Sequence, residues 1–95
     1  MKSVYLRESV KEIESGAFKG CTELTTLTLP SNVRINEEAF QDTKLGHLNI
    51  YNGNIIKILC NSIPGTPLSK AIVSGDGYKS LGYDIDGYLT VLQVK

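Results

Sequence analysis

Four groups of residues in this 95-residue chain have types and spacings that could do chemistry. Asp84-x-Asp86-Gly87 matches the middle of a calcium-binding loop, where alternate carboxylates converge on a hard cation. Such a loop also needs an acid at its first position and a bidentate Glu at its twelfth. Those positions here are Gly82 and Gln93, so a hairpin turn explains the motif better. His47 is the only histidine. General-base chemistry would need a nucleophile and an orienting acid fixed around it. No acid stands at matching phases, and the expectation is an exposed imidazole. Cys21 and Cys60 lie 39 residues apart with no CxxC, which is not a zinc spacing. A disulfide is left open; the plainer reading is two buried thiols acting as small apolar side chains. Glu37-Glu38 reads as a solvated edge and Gly65-Thr66 as a helix entry. No phosphate loop or nucleophile elbow is present. The chain is therefore expected to be non-enzymatic, with no catalytic, cofactor or metal site.

Bulk properties narrow the partners. Ten basic residues balance ten acidic ones, and no Lys/Arg run stands out. Nucleic acid and anionic membranes are thus disfavoured. No apolar run approaches the roughly 18 residues of a membrane span, so membrane insertion is not expected. The N-terminal stretch MKSVYLRESV has no signal-peptide core.

The elements that would position these residues repeat. VKEIESGAFKGCTELTTLTL (10–29) and VRINEEAFQDTKLGHLNI (33–50) share their apolar phases. Ala17-Phe18 recurs as Ala39-Phe40, 22 residues on, and Cys21 as Thr43. Leu24, Leu27 and Leu29 recur as Leu45, Leu48 and Ile50 after 21 residues. Val4-Tyr5-Leu6 matches Leu27-Thr28-Leu29, so the chain starts partway through a repeat. A period near 22 lies in the leucine-rich-repeat range. In L-x-x-L-x-L the last two leucines alternate, and a short strand turns both to one side. Phe18 and Phe40 should stack as a spine against the opposite wall.

The pattern V-x-x-I-x-x-x-A-F-x-x-C-x-x-L-x-x-L-x-L-P at 10–30 resembles the BspA-type leucine-rich repeat. The A-F-x-x-C phase separates it from ordinary leucine-rich repeats, and residues 4–50 carry the match. The resemblance implies an α/β leucine-rich-repeat solenoid, strand-dominated, of about two and a half turns. It also implies a bacterial cell-surface or secreted setting, with adhesion to proteins or glycans.

Beyond residue 50 the third repeat starts in phase at Ile55–Ile58, and the A-F-x-x-C element then fails to appear. Thr66 can cap a helix near 67–74, with Pro67 first, Gly75 as its stop, and Leu68, Ala71 and Ile72 inward. A return strand is expected at Gly77–Leu81. Asp86-Gly87 predicts a type I′ hairpin between Tyr83–Ile85 and Tyr88–Val94, and Asn52-Gly53 a second hairpin. The stretch 59–95 is similar to the terminal unit of the same family. The expected organisation is one domain, with repeats over 1–58 and a cap over 59–95. Strands are expected near 4–6, 27–29 and 48–50, a helix near 67–74, and a hairpin near 83–94.

In each L-x-L strand the middle side chain points away from the core, as does the residue two earlier. Ser3, Tyr5, Thr26, Thr28, His47 and Asn49 should therefore form a polar, uncharged ladder. That ladder is the candidate partner-binding face, suited to a protein or glycan ligand. The expected function is a non-catalytic interaction module. The alternative is a structural terminal piece of a longer array, with binding elsewhere. The N-terminal end, lacking an amphipathic cap, is expected to self-associate.

Overall fold

Extended chain turns alternate residues to opposite sides, and the L-x-L triplets use this to bury both leucines. The computed structural model describes residues 3–59 and 61–94, so the expectation for Cys60 lies outside the described residues. In chain order the elements are β1 (Ser3–Tyr5), β2 (Glu12–Ile13), β3 (Thr26–Pro30), β4 (Val33–Ile35), β5 (His47–Tyr51), β6 (Ile55–Ile58), α1 (Pro67–Ser74), β7 (Tyr78–Tyr83) and β8 (Leu89–Gln93). One sheet has the order β1-β3-β5, all parallel. The other has the order β2-β4-β6-β8-β7. Its first three strands are parallel and its last two antiparallel. Neither sheet closes into a barrel. The fold is strand-dominated with one short helix among the described residues.

Each repeat contributes one strand to each sheet. Leu27, Leu29, Leu48, Ile35 and Ile56 are all fully buried or nearly so, and they share one core. Full burial of such a side chain stabilises by about 1.5–3 kcal/mol. The strands that the repeats give to the second sheet, β2, β4 and β6, are only two to four residues long and fall on the Val/Ile phase that opens the repeat pattern.

Between the sheets runs a wall of short turns joined by backbone hydrogen bonds from one repeat to the next. Phe18 N–H donates to Ala39 C=O at 2.8 Å, and Phe40 N–H to Ser62 C=O at 2.9 Å. The expected spine is present: the Phe18 and Phe40 rings stack at 5.3 Å, 7° from parallel. Phe40 is fully buried, whereas Phe18 is only partly covered. Cys21 carries a free thiol and is half-buried rather than buried, because it belongs to that same first layer.

The third repeat corrects one expectation. The A-F-x-x-C element is disguised, not lost. Ser62-Ile63 stands where Ala39-Phe40 would, four and five residues after the last inward Ile of the preceding strand. Thr66 takes the Cys21/Thr43 phase. Thr43 Oγ1 donates to Phe40 C=O at 2.8 Å, and Thr66 Oγ1 to Ile63 C=O at 2.8 Å. Leu68 continues the Leu24/Leu45 phase, with its N–H on Leu45 C=O at 2.9 Å. A hydroxyl and an Ile fill the same space as a thiol and a Phe, which residue matching does not register.

Helix α1 forms as expected. Thr66 caps it, accepting from Ser69 N–H at 3.1 Å, and Gly75 stops it at φ 79. Leu68 and Ile72 are buried and Ala71 is half-buried. The hairpins differ from expectation. β7 is one continuous strand with an irregularity between Ser80 and Gly82, so the expected return strand and the first hairpin strand are the same element. A type I′ turn needs positive φ at both central residues, and Asp86 does not have it. The reversal is a turn over Asp84–Gly87, with Gly87 N–H on Asp84 C=O at 3.1 Å and Gly87 at φ 86. Asn52 and Gly53 do take positive φ. They join β5 to β6 in different sheets, so no hairpin forms there.

Candidate interaction face

The outward faces of the two sheets differ in kind. On the five-stranded sheet the outward row is Glu12, Arg34, Lys57 and Thr90, in register. The β7–β8 turn folds onto it. Lys57 Nζ lies 3.4 Å from Asp84 Oδ2, and Arg34 Nη2 3.3 Å from Asp86 Oδ2. The Arg34 guanidinium sits 5.3 Å over the Tyr88 ring. The Tyr88 hydroxyl bonds Asn36 Oδ1, and Asn36 Nδ2 donates to Glu12 Oε2 at 2.5 Å. Both carboxylates of the calcium-like motif are thus engaged by cationic side chains. Asp84 Oδ1 also accepts from the amides of Asp86 at 2.9 Å and Tyr88 at 3.0 Å. Desolvation pushes the Asp84 pKa up, but these two amides and Lys57 outweigh it and hold the carboxyl below its usual range.

The three-stranded sheet keeps its outward face open. Ser3, Thr26 and His47 align in one row, and Tyr5, Thr28 and Asn49 in the next. The six predicted residues are therefore brought together as a contiguous ladder. Ser3, Tyr5, His47 and Asn49 are exposed; Thr26 and Thr28 are half-buried. The ladder is internally bonded. His47 Nε2 lies 3.1 Å from Asn49 Oδ1, so Nε2 carries the proton when that oxygen accepts, and Asn49 Nδ2 reaches Thr28 Oγ1 at 3.4 Å. Among the described residues no carboxylate partners His47, which is the exposed imidazole expected.

Sequence reasoning missed a seventh member. Tyr51 pairs with Pro30 one step further along the same outward phase. Its ring stacks on Tyr5 at 5.8 Å, 6° from parallel. Its hydroxyl donates to Leu6 C=O at 2.5 Å. Burial, then the neighbouring Tyr5 hydroxyl and the Glu8 charge, raise the Tyr51 pKa above its ordinary value. The alternation that marks Asn49 also marks Tyr51; the hairpin reading of Asn52-Gly53 hid it. The face is thus a hydrogen-bonding floor beside a two-ring aromatic ledge, with no charged side chain in its rows.

Among the described residues no group of three or more His, Cys, Asp or Glu is gathered to hold a metal ion. No described helix is long and apolar enough to cross a membrane. A family model described as BspA type Leucine rich repeat region (6 copies) matches residues 1–76. No curated protein and no solved structure matches the chain.

Proposed function

We propose that this chain, which belongs to the BspA-type leucine-rich repeat family, is a non-catalytic interaction module that binds a protein or glycan ligand through the open face of its three-stranded sheet. Its repeats form one short solenoid domain over 1–95, and the chain leaves the repeat path at Pro67. Its setting is the cell surface or the secreted space. The observation that carries this reading is the contrast between the two outward faces. The cations of the charged face are paired by carboxylates of the chain's own hairpin, while the polar ladder with its Tyr5–Tyr51 ledge has no such segment laid across it among the described residues. An uncharged face of this kind suits sugar hydroxyls or a polar protein segment and gives phosphate-rich ligands such as nucleic acid no anchor.

The test is a double change at exposed positions, Tyr5→Ala with His47→Glu. It should keep stability within about 1–2 kcal/mol of wild type, because surface changes are usually mild. A ligand found by screening glycan and protein arrays should lose binding to this folded variant. Equal binding by both would move the site off the face.

A second reading has its own observation. Val4, Leu6, Phe18 and Cys21 are only partly covered at the N-terminal end. In that reading the chain is a terminal structural piece stacked on further repeats, and the exposed layer is also where copies of it self-associate.

A further inference from the structure

The first sheet lacks a fourth strand, and the place for that strand is an open groove. Leu24, Leu45 and Leu68 share one phase, so a strand should follow Leu68 and lie beside β5. Thr66 and Pro67 instead start helix α1 at that point. β5 is therefore left as an edge. His47 N–H donates to Thr25 C=O at 3.1 Å, and Tyr51 C=O accepts from Ser31 N–H at 2.9 Å. Residues 47, 49 and 51 thus face β3. In a parallel ladder alternate residues turn the other way, so Leu48 and Ile50 present their backbone groups to the open side.

Both Leu48 groups already have substitute partners, and the Tyr78 hydroxyl meets the Leu48 backbone amide. Gln93, at the end of β8, donates its side-chain Nε2 to Leu48 C=O at 2.8 Å. An amide from a side chain stands where a neighbouring strand's N–H would. The Ile50 N–H and C=O have no equivalent on that side among the described residues. Beside them lie two hollows of about 290 Å³ and 610 Å³. They share Ile50, Gln93 and Val94, which makes them one groove along the strand. Its apolar lining is Ile50, Leu92 and the half-exposed Val94.

We infer that this groove takes an extended polypeptide segment from a partner protein, which adds a strand to β5. Main-chain groups of the segment pair with Ile50, just beyond the Gln93 and Tyr78 side chains that occupy Leu48, and one apolar side chain rests over Ile50, Leu92 and Val94. A small apolar molecule would leave the Ile50 backbone groups unpaired. The edge of a second copy would carry its own neighbouring strand into the end of β8, whereas a single segment fits between the two walls. At the same end of the molecule the edge of the other sheet is guarded: β7 carries Lys79 and a register irregularity between Ser80 and Gly82, both devices that discourage pairing. β5 carries neither. The groove lies at the side of the polar ladder and meets it only at His47 and Asn49, so the two sites can fail separately.

The probe is a synthetic peptide of residues 45–52, LGHLNIYN, capped at both ends. β3 and β5 pair in parallel through this type of strand, so it supplies the pattern of the missing neighbour. The readout is amide hydrogen exchange at Leu48 and Ile50 in the full chain. Saturating peptide should slow exchange at Ile50 by about tenfold or more, with no matching change at Tyr5 or Thr28. Val94→Asp, which alters only an exposed wall residue, should abolish the effect, as should N-methylation of alternate peptide amides. No slowing at Ile50 in the wild-type chain overturns the inference. So does strong Ile50 protection without peptide in a chain that sediments as a dimer, because the occupant would then be a second copy.

Discussion

Asp84 does more with one carboxylate than any other residue outside the core. It closes the β7–β8 turn through two backbone amides and ties that turn to Lys57. Its pKa is depressed in the folded chain, so its contribution is fully present above the unfolded carboxylate value of about 3.9 and is lost as pH falls through the folded value. Asp84→Asn should therefore flatten the acid side of the stability profile, read as melting temperature against pH. Glu38 shows the opposite economy. It occupies, at φ 58, the phase that Gly16 fills in the preceding repeat. The left-handed conformation costs a side-chain-bearing residue about 1–2 kcal/mol. Its exposed ion pair with Lys19 at 3.1 Å returns about 0–1 kcal/mol. Glu38→Gly should stabilise the chain by no more than about 0.5 kcal/mol in chemical denaturation, once the lost ion pair and the entropy glycine loses on folding are deducted. A destabilised variant would mean that the ion pair outweighs the backbone.

At the scale of elements, the wall of turns between the sheets is held by its aromatic spine, and its two phenylalanines are not equivalent. Phe40 is covered on both sides, by Phe18 and by the third repeat; Phe18 is covered on one. Phe40→Ala should cost about 3–5 kcal/mol, enough to leave a domain of about 5–15 kcal/mol marginal at 37 °C. Phe18→Ala should cost roughly half as much, because part of that ring already meets solvent. Equal melting temperatures for the two variants would contradict the layered arrangement. Helix α1 illustrates how little is needed to leave the repeat path. The Thr43 hydroxyl accepts from Leu45 N–H, two residues on, at 3.3 Å and the chain enters a strand. The Thr66 hydroxyl, in the same phase, accepts from Ser69 N–H, three residues on, and the chain enters a helix. Pro67 between them has its φ already set for the helical start.

Over the whole molecule, the two ends are finished differently. The β7–β8 hairpin closes the five-stranded sheet beside β6, and Val91 is fully buried there. At the other end β1 and β2 are both unpaired edges, with Val4, Leu6 and Phe18 partly covered between them. Open edges beside apolar surface favour pairing with another chain. Sedimentation should show concentration-dependent association, and Val4→Lys should suppress it without a large loss of stability. A wild-type chain that stays monomeric at millimolar concentration would refute association through this end.

The apolar phases of the repeat were legible in the sequence because they are local. Alternation along an extended strand places Leu27 and Leu29 inward and Thr26 and Thr28 outward whatever their neighbours are, and Thr66, Pro67 and Gly75 mark the ends of α1 through their own backbone preferences. The same alternation predicted the six-residue ladder and would have predicted Tyr51. Other features depended on which segments meet in space. Ser62-Ile63 can replace Ala-Phe only because the layer beneath accepts that volume. Asp84 and Asp86 are a calcium-like motif in sequence and a pair of ion-pair partners in the fold, because β8 aligns with β6 and brings them over Lys57 and Arg34. The open groove beside β5 is likewise tertiary. It exists because the chain turned into a helix where a fourth strand would have lain, and because Gln93, 45 residues along the chain from Leu48, and Tyr78 arrive to occupy the Leu48 backbone and leave that of Ile50 open.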